Sequence, residues 1–206
     1  MSKLLVIKAN PNSIEKSYGL SVGQSFIDSY KKNNPSHTVD EINVFDMDIP
    51  EIDGTILTAW DAMAHQTAFG DLSNLQQEAL TKTGAILENF LSYDKYLFIT
   101  PLWNSCFPSR LKSYLDALCV PGKTFKYTEL GPQGLVTGKK ALHIHTSGSF
   151  IRSANLADSL LREILNLIGI KEVETLYVQG HANMPHLADG IKERAKNIAA
   201  QTAKGF

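Results

Sequence analysis

Apolar residues fall along this chain in two spacings, and the change from one to the other divides it into strands and helices. The run Lys3-Leu4-Leu5-Val6-Ile7-Lys8-Ala9 is apolar at consecutive positions, which predicts a strand covered on both faces, as in a parallel sheet. From about Ser17 to Lys32 the spacing becomes helical, with Leu20, Phe26, Ile27 and Tyr30 available to face a sheet, and Asn33-Asn34-Pro35 ends the helix. His37 to Val44 reads as a half-exposed second strand. Between Met47 and Asn89 the pattern is less regular, with helical stretches predicted around Leu57 to Ala64 and Asn74 to Leu91. Lys95-Tyr96-Leu97-Phe98-Ile99-Thr100, bounded by Asp94 and Pro101, is the third strand. Pro108 suits the first position of the next helix, where Leu111, Tyr114, Leu115 and Leu118 follow at i, i+3, i+4 and i+7. Pro121 to Lys139, dense in Gly and Pro, reads as a long excursion or hairpin over the active edge, with β-like pieces at Thr124 to Thr128. A fourth strand from Lys140 to Thr146 and a helix from Leu156 to Ile168 come next, the helix with Leu156, Leu160, Leu161, Ile164, Leu165 and Ile168 on one face. Glu172 to Val178 makes a fifth strand and Leu187 to Lys204 a closing helix.

Strands alternating with helices predict an α/β, doubly wound, five-stranded parallel sheet with helices on both faces. Right-handed crossovers favour the flavodoxin-like order 2-1-3-4-5. The length of 206 residues fits one domain, 1–206, which buries roughly 70% of its unfolded surface. In such sheets ligands bind at the carboxyl ends of the strands. Three loops then open at one edge as neighbours: Asn10 to Ser17, Pro101 to Pro108, and Thr146 to Ser153.

The first loop ends at a helix amino terminus, where unpaired N–H groups and about half a positive charge favour an anion, and hydroxyls at Ser13, Ser17 or Ser21 can complete a phosphate cradle. The other reading of Ser17 is a helix cap alone. In the second loop Trp103 supplies an apolar plane and Asn104 an amide for a heterocycle's edge. The competing assignments are an aromatic of the core or an interface for Trp103 and a self-bonding turn residue for Asn104. The third loop, Thr146-Ser147-Gly148-Ser149, is small and polar, with Gly148 allowing close backbone approach. A phosphate at the first loop and a planar ring between the other two describe flavin mononucleotide.

Charge and composition narrow the field further. A formal charge of -1 provides no basic field for nucleic acid, and no apolar run reaches the roughly 18 residues that cross a bilayer. Two cysteines and no secretory leader imply a reduced, cytoplasmic setting. G-x-G-x-x-G is absent, and Gly138-Lys139-Lys140 lacks the Ser or Thr of a nucleotide-triphosphate loop, so a dinucleotide at the first turn and ATP are not expected. His143 and His145 share a strand face without a third ligand, so no metal is expected, and they read as sheet residues packed under a helix. Cys106 lies near the expected flavin without an evident base and reads as structural, while His181 is either a loop residue near the substrate mouth or solvated.

Four stretches taken together carry a resemblance. They are Pro101-Leu102-Trp103-Asn104, Pro108 through Asp116, Gly122-Lys123-Thr124-Phe125-Lys126-Tyr127-Thr128 and Gly131 through Lys140. With them the chain resembles the FMN-dependent NADH-quinone and azo-dye reductases, the azoreductases of the flavodoxin-like superfamily. The resemblance implies that Ser17 and Tyr18 form the phosphate-binding turn, with Asn10 nearby at the end of the first strand as a further cofactor-binding residue, and that Pro101, Leu102, Trp103, Asn104 and Ser105 wrap the isoalloxazine. It also implies that Thr146, Ser147, Gly148 and Ser149 lie on the pyrimidine side, with Tyr127 on the substrate side. Leu102 and Trp103 stand where Met and Tyr are frequent, and Ser147 and Ser149 where Arg and Gly often occur, departures that bear on substrate preference. The implied activity is two-electron, ping-pong hydride transfer from NADH or NADPH through tightly but non-covalently bound FMN to quinones and aromatic azo compounds, in a homodimer. The flavin carries the chemistry, so no catalytic side chain is required. The alternative is a flavodoxin-like FMN electron carrier; such carriers are strongly acidic, unlike this chain.

Overall fold

The computed structural model describes residues 2–151 and 155–206; of the third loop's expected span, Arg152 and Ser153 lie outside the described residues. Five strands, β1 (Lys3–Lys8), β2 (Thr38–Asn43), β3 (Lys95–Pro101), β6 (Lys140–Ser147) and β7 (Glu172–Gln179), form one sheet in the order β2-β1-β3-β6-β7. Every neighbouring pair is parallel. Two further strands, β4 (Phe125–Thr128) and β5 (Gly131–Gly134), form a separate antiparallel hairpin. With that hairpin set aside, the sheet has the expected 2-1-3-4-5 order.

Side chains alternate across each strand, so adjacent residues feed opposite cores. Leu5, Ile7, Tyr96 and Phe98 pack with Phe90 of α3 (Asn74–Leu91), with Leu111, Tyr114, Leu115 and Leu118 of α4 (Ser109–Leu118), and with Leu161, Leu165 and Ile168 of α5 (Leu156–Ile168). Leu4, Val6, Leu97, Ile99, Leu142 and Ile144 meet Leu20, Phe26, Ile27 and Tyr30 of α1 (Tyr18–Asn33) and Ala195, Ala199 and Ala203 of α6 (Ala188–Gly205). Each buried Leu or Phe side chain contributes about 1.5–3 kcal/mol of transfer free energy, so both faces are strongly held. The alanine stripe lets α6 lie close enough for Ser29 Oγ to donate to Ala200 O at 2.7 Å. The irregular region resolves into α2 (Gly54–Ala64), capped by Asp53, and α3, opened by a capping box of Ser73 and Gln76. Among the described residues no helix is long and apolar enough to cross a membrane.

Two expectations are corrected. Leu156 stands at the solvent side of α5's first turn, 62% exposed, because the helix begins there and its buried stripe starts with Ala157 and Leu161. The hairpin does not arch over the carboxyl edge. Its second strand is seated on the end of α5, with Val136 N donating to Ile168 O at 2.8 Å and Gly134 packed against Gly169. A helix antiparallel to the strands ends at the amino edge, where β7 starts three residues later, so the hairpin is rooted there. A Cβ on Gly134 would lie 2.3 Å from Gly169 N, a separation only glycine tolerates.

Candidate functional site

At the carboxyl edge the three loops are joined by backbone contacts. Leu102 N donates to Thr146 O at 2.7 Å and Thr146 Oγ1 to Thr100 O at 3.3 Å, tying the second loop to the third. Gly19, in the first turn of α1, lies so close to Thr146 that a Cβ would sit 3.1 Å from its side chain, which brings the first loop to the third.

Ser17 is the N-cap of α1, its Oγ accepting from Leu20 N at 3.2 Å and from Asn10 Nδ2 at 3.0 Å. With both acceptor positions occupied, the Ser17 hydroxyl proton remains for a ligand, and the N–H groups of Tyr18 and Gly19 make no hydrogen bond among the described residues. Capping therefore leaves the hydroxyl free to donate to an anion. Asn10 stands behind it: Asn10 Oδ1 accepts from Asn12 N at 2.9 Å and its carbonyl accepts from Asn43 Nδ2 at 2.9 Å. Both ends of its side-chain amide help to shape the loop. Ser21 is buried in the helix and Ser13 is exposed.

The second loop is a tight turn. Trp103 N donates to Cys106 O at 2.7 Å and Cys106 N to Trp103 O at 3.0 Å, with Asn104 and Ser105 both left-handed at φ 49° and 67°. Asn suits that conformation; Ser accepts it at a cost of about 1–2 kcal/mol. The N–H groups of Asn104 and Ser105 have no partner among the described residues. Trp103 is 41% exposed, its ring edge-on to Phe45 with centroids 6.1 Å apart, so much of the indole is available to a flat ligand. In the third loop Thr146 and Ser147 are buried, Ser147 Oγ donating to Ser149 O at 2.7 Å, while Ser149 is exposed. Tyr127 does not join these loops: it is 75% exposed on the hairpin and touches the ring of its neighbour Phe125.

A fourth loop, Gly180 to Met184, completes the edge and was not singled out as a group by the sequence. Gly180 N donates to Ser147 O at 3.2 Å and Ala182 N to Gly148 O at 2.8 Å. It carries His181 to the ring of Tyr18, where the two stack at 4.1 Å with planes 10° apart. The glycine before His181 was its only signal, since nothing in a single chain's spacing reports which loops meet.

Beneath the second and third loops lies a buried polar chain. Asp158 Oδ1 accepts from Thr175 Oγ1 at 2.7 Å and Oδ2 from Tyr177 OH at 2.7 Å and Arg162 Nε at 2.9 Å. His143 Nδ1 donates to Asp158 Oδ1 at 2.8 Å, so His143 Nε2 accepts from Thr100 Oγ1 at 2.8 Å. Thr100, having spent its proton, accepts from His145 Nδ1 at 2.8 Å, which leaves His145 Nε2 an acceptor, and it has no partner. Desolvation holds both histidines neutral, lowering His143 against the pull of Asp158 and taking His145 down to about 4. The same four donors outweigh burial at Asp158 and hold its carboxyl far below the usual range. These histidines are thus sheet residues under α5, and the chain clamps the ends of β3 and β6 where two of the site loops begin. Among the described residues no cluster of three metal-ligating side chains occurs.

A cavity of about 270 Å³ between α2, α3 and the turn at Val120 and Lys123 shares no residue with the loops of this edge. The edge is distinguished by its free donors and aromatic face.

Known proteins resemble this chain over nearly its whole length. The sequence matches a family described as having the flavodoxin-like fold over residues 2–202. It is 41% identical to an FMN-dependent NADH:quinone oxidoreductase of Bacillus anthracis over 211 residues, covering 100% of both chains. It is 40% identical to an FMN-dependent NADH:quinone oxidoreductase of Geobacillus kaustophilus over 97% of this chain and 99% of the relative. The crystal structure of an azoreductase from Bacillus anthracis str. Sterne aligns with a TM-score of 0.93 at 29% identity, covering 100% of each chain. An FMN-dependent NADH-azoreductase from Bacillus anthracis str. Ames Ancestor, solved in complex with FMN, aligns with a TM-score of 0.86 at 29% identity, over 98% of this chain and 100% of that one.

Proposed function

The chain belongs to the FMN-dependent NADH:quinone oxidoreductase and azoreductase family of the flavodoxin-like fold, and from that premise we propose the work of its individual residues. It is an FMN-dependent oxidoreductase that uses NADH to reduce quinones, and its acceptors extend to aromatic azo compounds. The observation that carries this reading is the convergence of three loops with free donors on one carboxyl edge.

FMN held here would supply the redox chemistry, a two-electron exchange between nicotinamide and acceptor. The protein's residues hold and orient it. The Ser17 hydroxyl and the N–H groups of Tyr18 and Gly19 receive the phosphate at the positive end of α1, with Asn10 fixing Ser17 from behind. The Pro101 to Ser105 turn would hold the isoalloxazine with its backbone and the Trp103 indole, offering the free N–H groups of Asn104 and Ser105 to the ring's polar atoms. Thr146 to Ser149 would hold the pyrimidine side through backbone groups that favour negative charge there. No side chain acts as nucleophile.

The working form in this reading is a cytoplasmic homodimer. Tyr127, exposed on a hairpin rooted at the opposite edge, serves a substrate site only by reaching a second copy, and the exposed Trp103 offers an apolar surface for such contact. Nucleic acid and membrane are not partners. The test is stopped-flow mixing of purified protein with NADH and with NADPH, followed by a quinone and an azo dye. The flavin absorbance bleaches with the nucleotide and returns with either acceptor; a flavin that stays oxidised with both nucleotides overturns the enzyme in favour of the electron carrier.

A further inference from the structure

We propose that His181, in the loop between β7 and α6, and Lys192, in the second turn of α6, are phosphate-recognition residues of the mononucleotide cradle, the imidazole as a neutral hydrogen-bonding group and the lysine as the cation. The proposal rests on the assignment of α1's amino terminus to the FMN phosphate and adds to it two side chains from the other end of the chain.

Both side chains are seated on Tyr18, the first residue of α1. The His181 ring stacks on it at 4.1 Å, and Lys192 Nζ lies 5.5 Å from its centroid. His181 Nε2 faces the third loop, 3.8 Å from where a Cβ on Gly148 would stand, so the imidazole spans the gap between the phosphate turn and the pyrimidine loop. Its other nitrogen, Nδ1, is buried and has no hydrogen-bond partner. A buried imidazole nitrogen left unpaired carries a desolvation penalty. Burial lowers the basicity of His181, so the ring meets a ligand as a neutral hydrogen-bonding group.

The loop is fixed in this position. Gly180 N and Ala182 N are bonded to the third loop, Met184 N donates to Gly180 O at 2.9 Å, and Asn183 Oδ1 accepts from Phe150 N at 3.0 Å. Gly180 adopts φ 87°, and a Cβ there would lie 2.4 Å from the Phe150 ring, so the turn that aims His181 depends on glycine. The phosphate carries close to two negative charges, whereas the helix terminus offers about half a positive one. Of the two side chains converging on Tyr18, Lys192 supplies positive charge and His181 a hydrogen bond, and neither is needed by riboflavin, which lacks the phosphate.

The experiment is equilibrium binding of FMN and of riboflavin to flavin-stripped protein, followed by quenching of flavin fluorescence, for the wild type, His181→Phe and Lys192→Met. Phe preserves the stack on Tyr18 and removes the nitrogens; circular dichroism verifies the fold of each variant. Each variant should weaken FMN by about tenfold or more, the weight of one charge-assisted hydrogen bond, and leave riboflavin within about twofold. Lys192→Met should also flatten the salt dependence of FMN binding. Equal loss for the two flavins overturns the phosphate assignment, and unchanged FMN affinity in both variants overturns the proposal altogether. If the wild-type protein binds neither flavin, the FMN reading itself fails, a result separate from either of these.

Discussion

Acidification from pH 7 to pH 5 should destabilise this protein through the neutral histidines under α5. His145 is fully buried and its folded-state pKa is about 4, against an ordinary value of 6.5. Between those values the unfolded chain binds a proton that the folded protein refuses, so the stabilising effect is complete above the ordinary value and is lost as pH falls. For this one residue the loss is about 2 kcal/mol at pH 5 and about 3 kcal/mol near pH 4. His143, lowered by the same desolvation, adds in the same direction. Asp158 is depressed by its donors, so its contribution holds above the ordinary carboxylate range and disappears as pH falls below it. Acid lability should therefore come in two stages, histidines first and the carboxylate after.

Urea unfolding at pH 7, 6, 5 and 4.5, at one fixed FMN concentration because bound ligand raises apparent stability, measures this directly. His145→Asn is the decisive comparison. Its amide Nδ2 takes the place of Nδ1 in donating to Thr100 Oγ1 and does not titrate. The variant starts less stable at pH 7 by about 1–2 kcal/mol for its smaller volume, yet loses about 2 kcal/mol less than the wild type on going to pH 5. Parallel pH curves for the two proteins would refute the assignment of a neutral His145.

Three other outcomes follow from the geometry. Ser17→Ala removes a cap and a ligand donor together, so the apo protein loses about 1 kcal/mol in thermal unfolding while FMN binding weakens by about tenfold in a fluorescence titration. Gly23→Ala gains about 1 kcal/mol of helix propensity but places a Cβ 2.3 Å from Ile99 Cδ1, and forced repacking costs about 1–3 kcal/mol, so calorimetry should show a net decrease in Tm. Asn104→Gly should be close to neutral and Asn104→Val should cost about 2 kcal/mol, since only the first suits φ 49°; equal Tm values would contradict the left-handed turn.

Regular elements were legible because their periodicity is local. Residues 74–91 and 156–168 have the helix limits expected from spacing, and Leu111, Tyr114, Leu115 and Leu118 all reach zero exposure. What failed was long-range. Nothing in Pro121 to Lys139 says which edge its hairpin packs on; that is decided by a glycine pair, Gly134 against Gly169, whose members lie 35 residues apart in the chain. The exposure of Leu156 reflects its place on the solvent side of the first turn of α5, which the spacing of apolar residues does not separate from the buried stripe. Asp158 was invisible as an anchor because its partners come from β6, β7 and its own helix, and the Tyr18 to His181 stack joins the first helix to the last loop.

The sequence departures from the family's usual pattern fall where they loosen the cofactor least. In the proposed reading, the groups that hold the flavin are predominantly backbone: the N–H groups of Tyr18, Gly19, Asn104 and Ser105, with the Leu102 N to Thr146 O bond fixing one loop on the other. Replacing a side chain at Leu102, Trp103, Ser147 or Ser149 leaves these groups in place as long as the turn keeps its conformation. Trp103 is the departure with most surface open to a ligand, so the bulk and polarity of its ring act on whatever stacks there rather than on the phosphate end. Changing Trp103 to Tyr should accordingly alter the ratio of quinone to azo-dye turnover by more than it alters FMN affinity. Loss of FMN affinity with an unchanged substrate ratio would reverse that division of labour and make the indole, rather than the backbone, the principal grip on the ring.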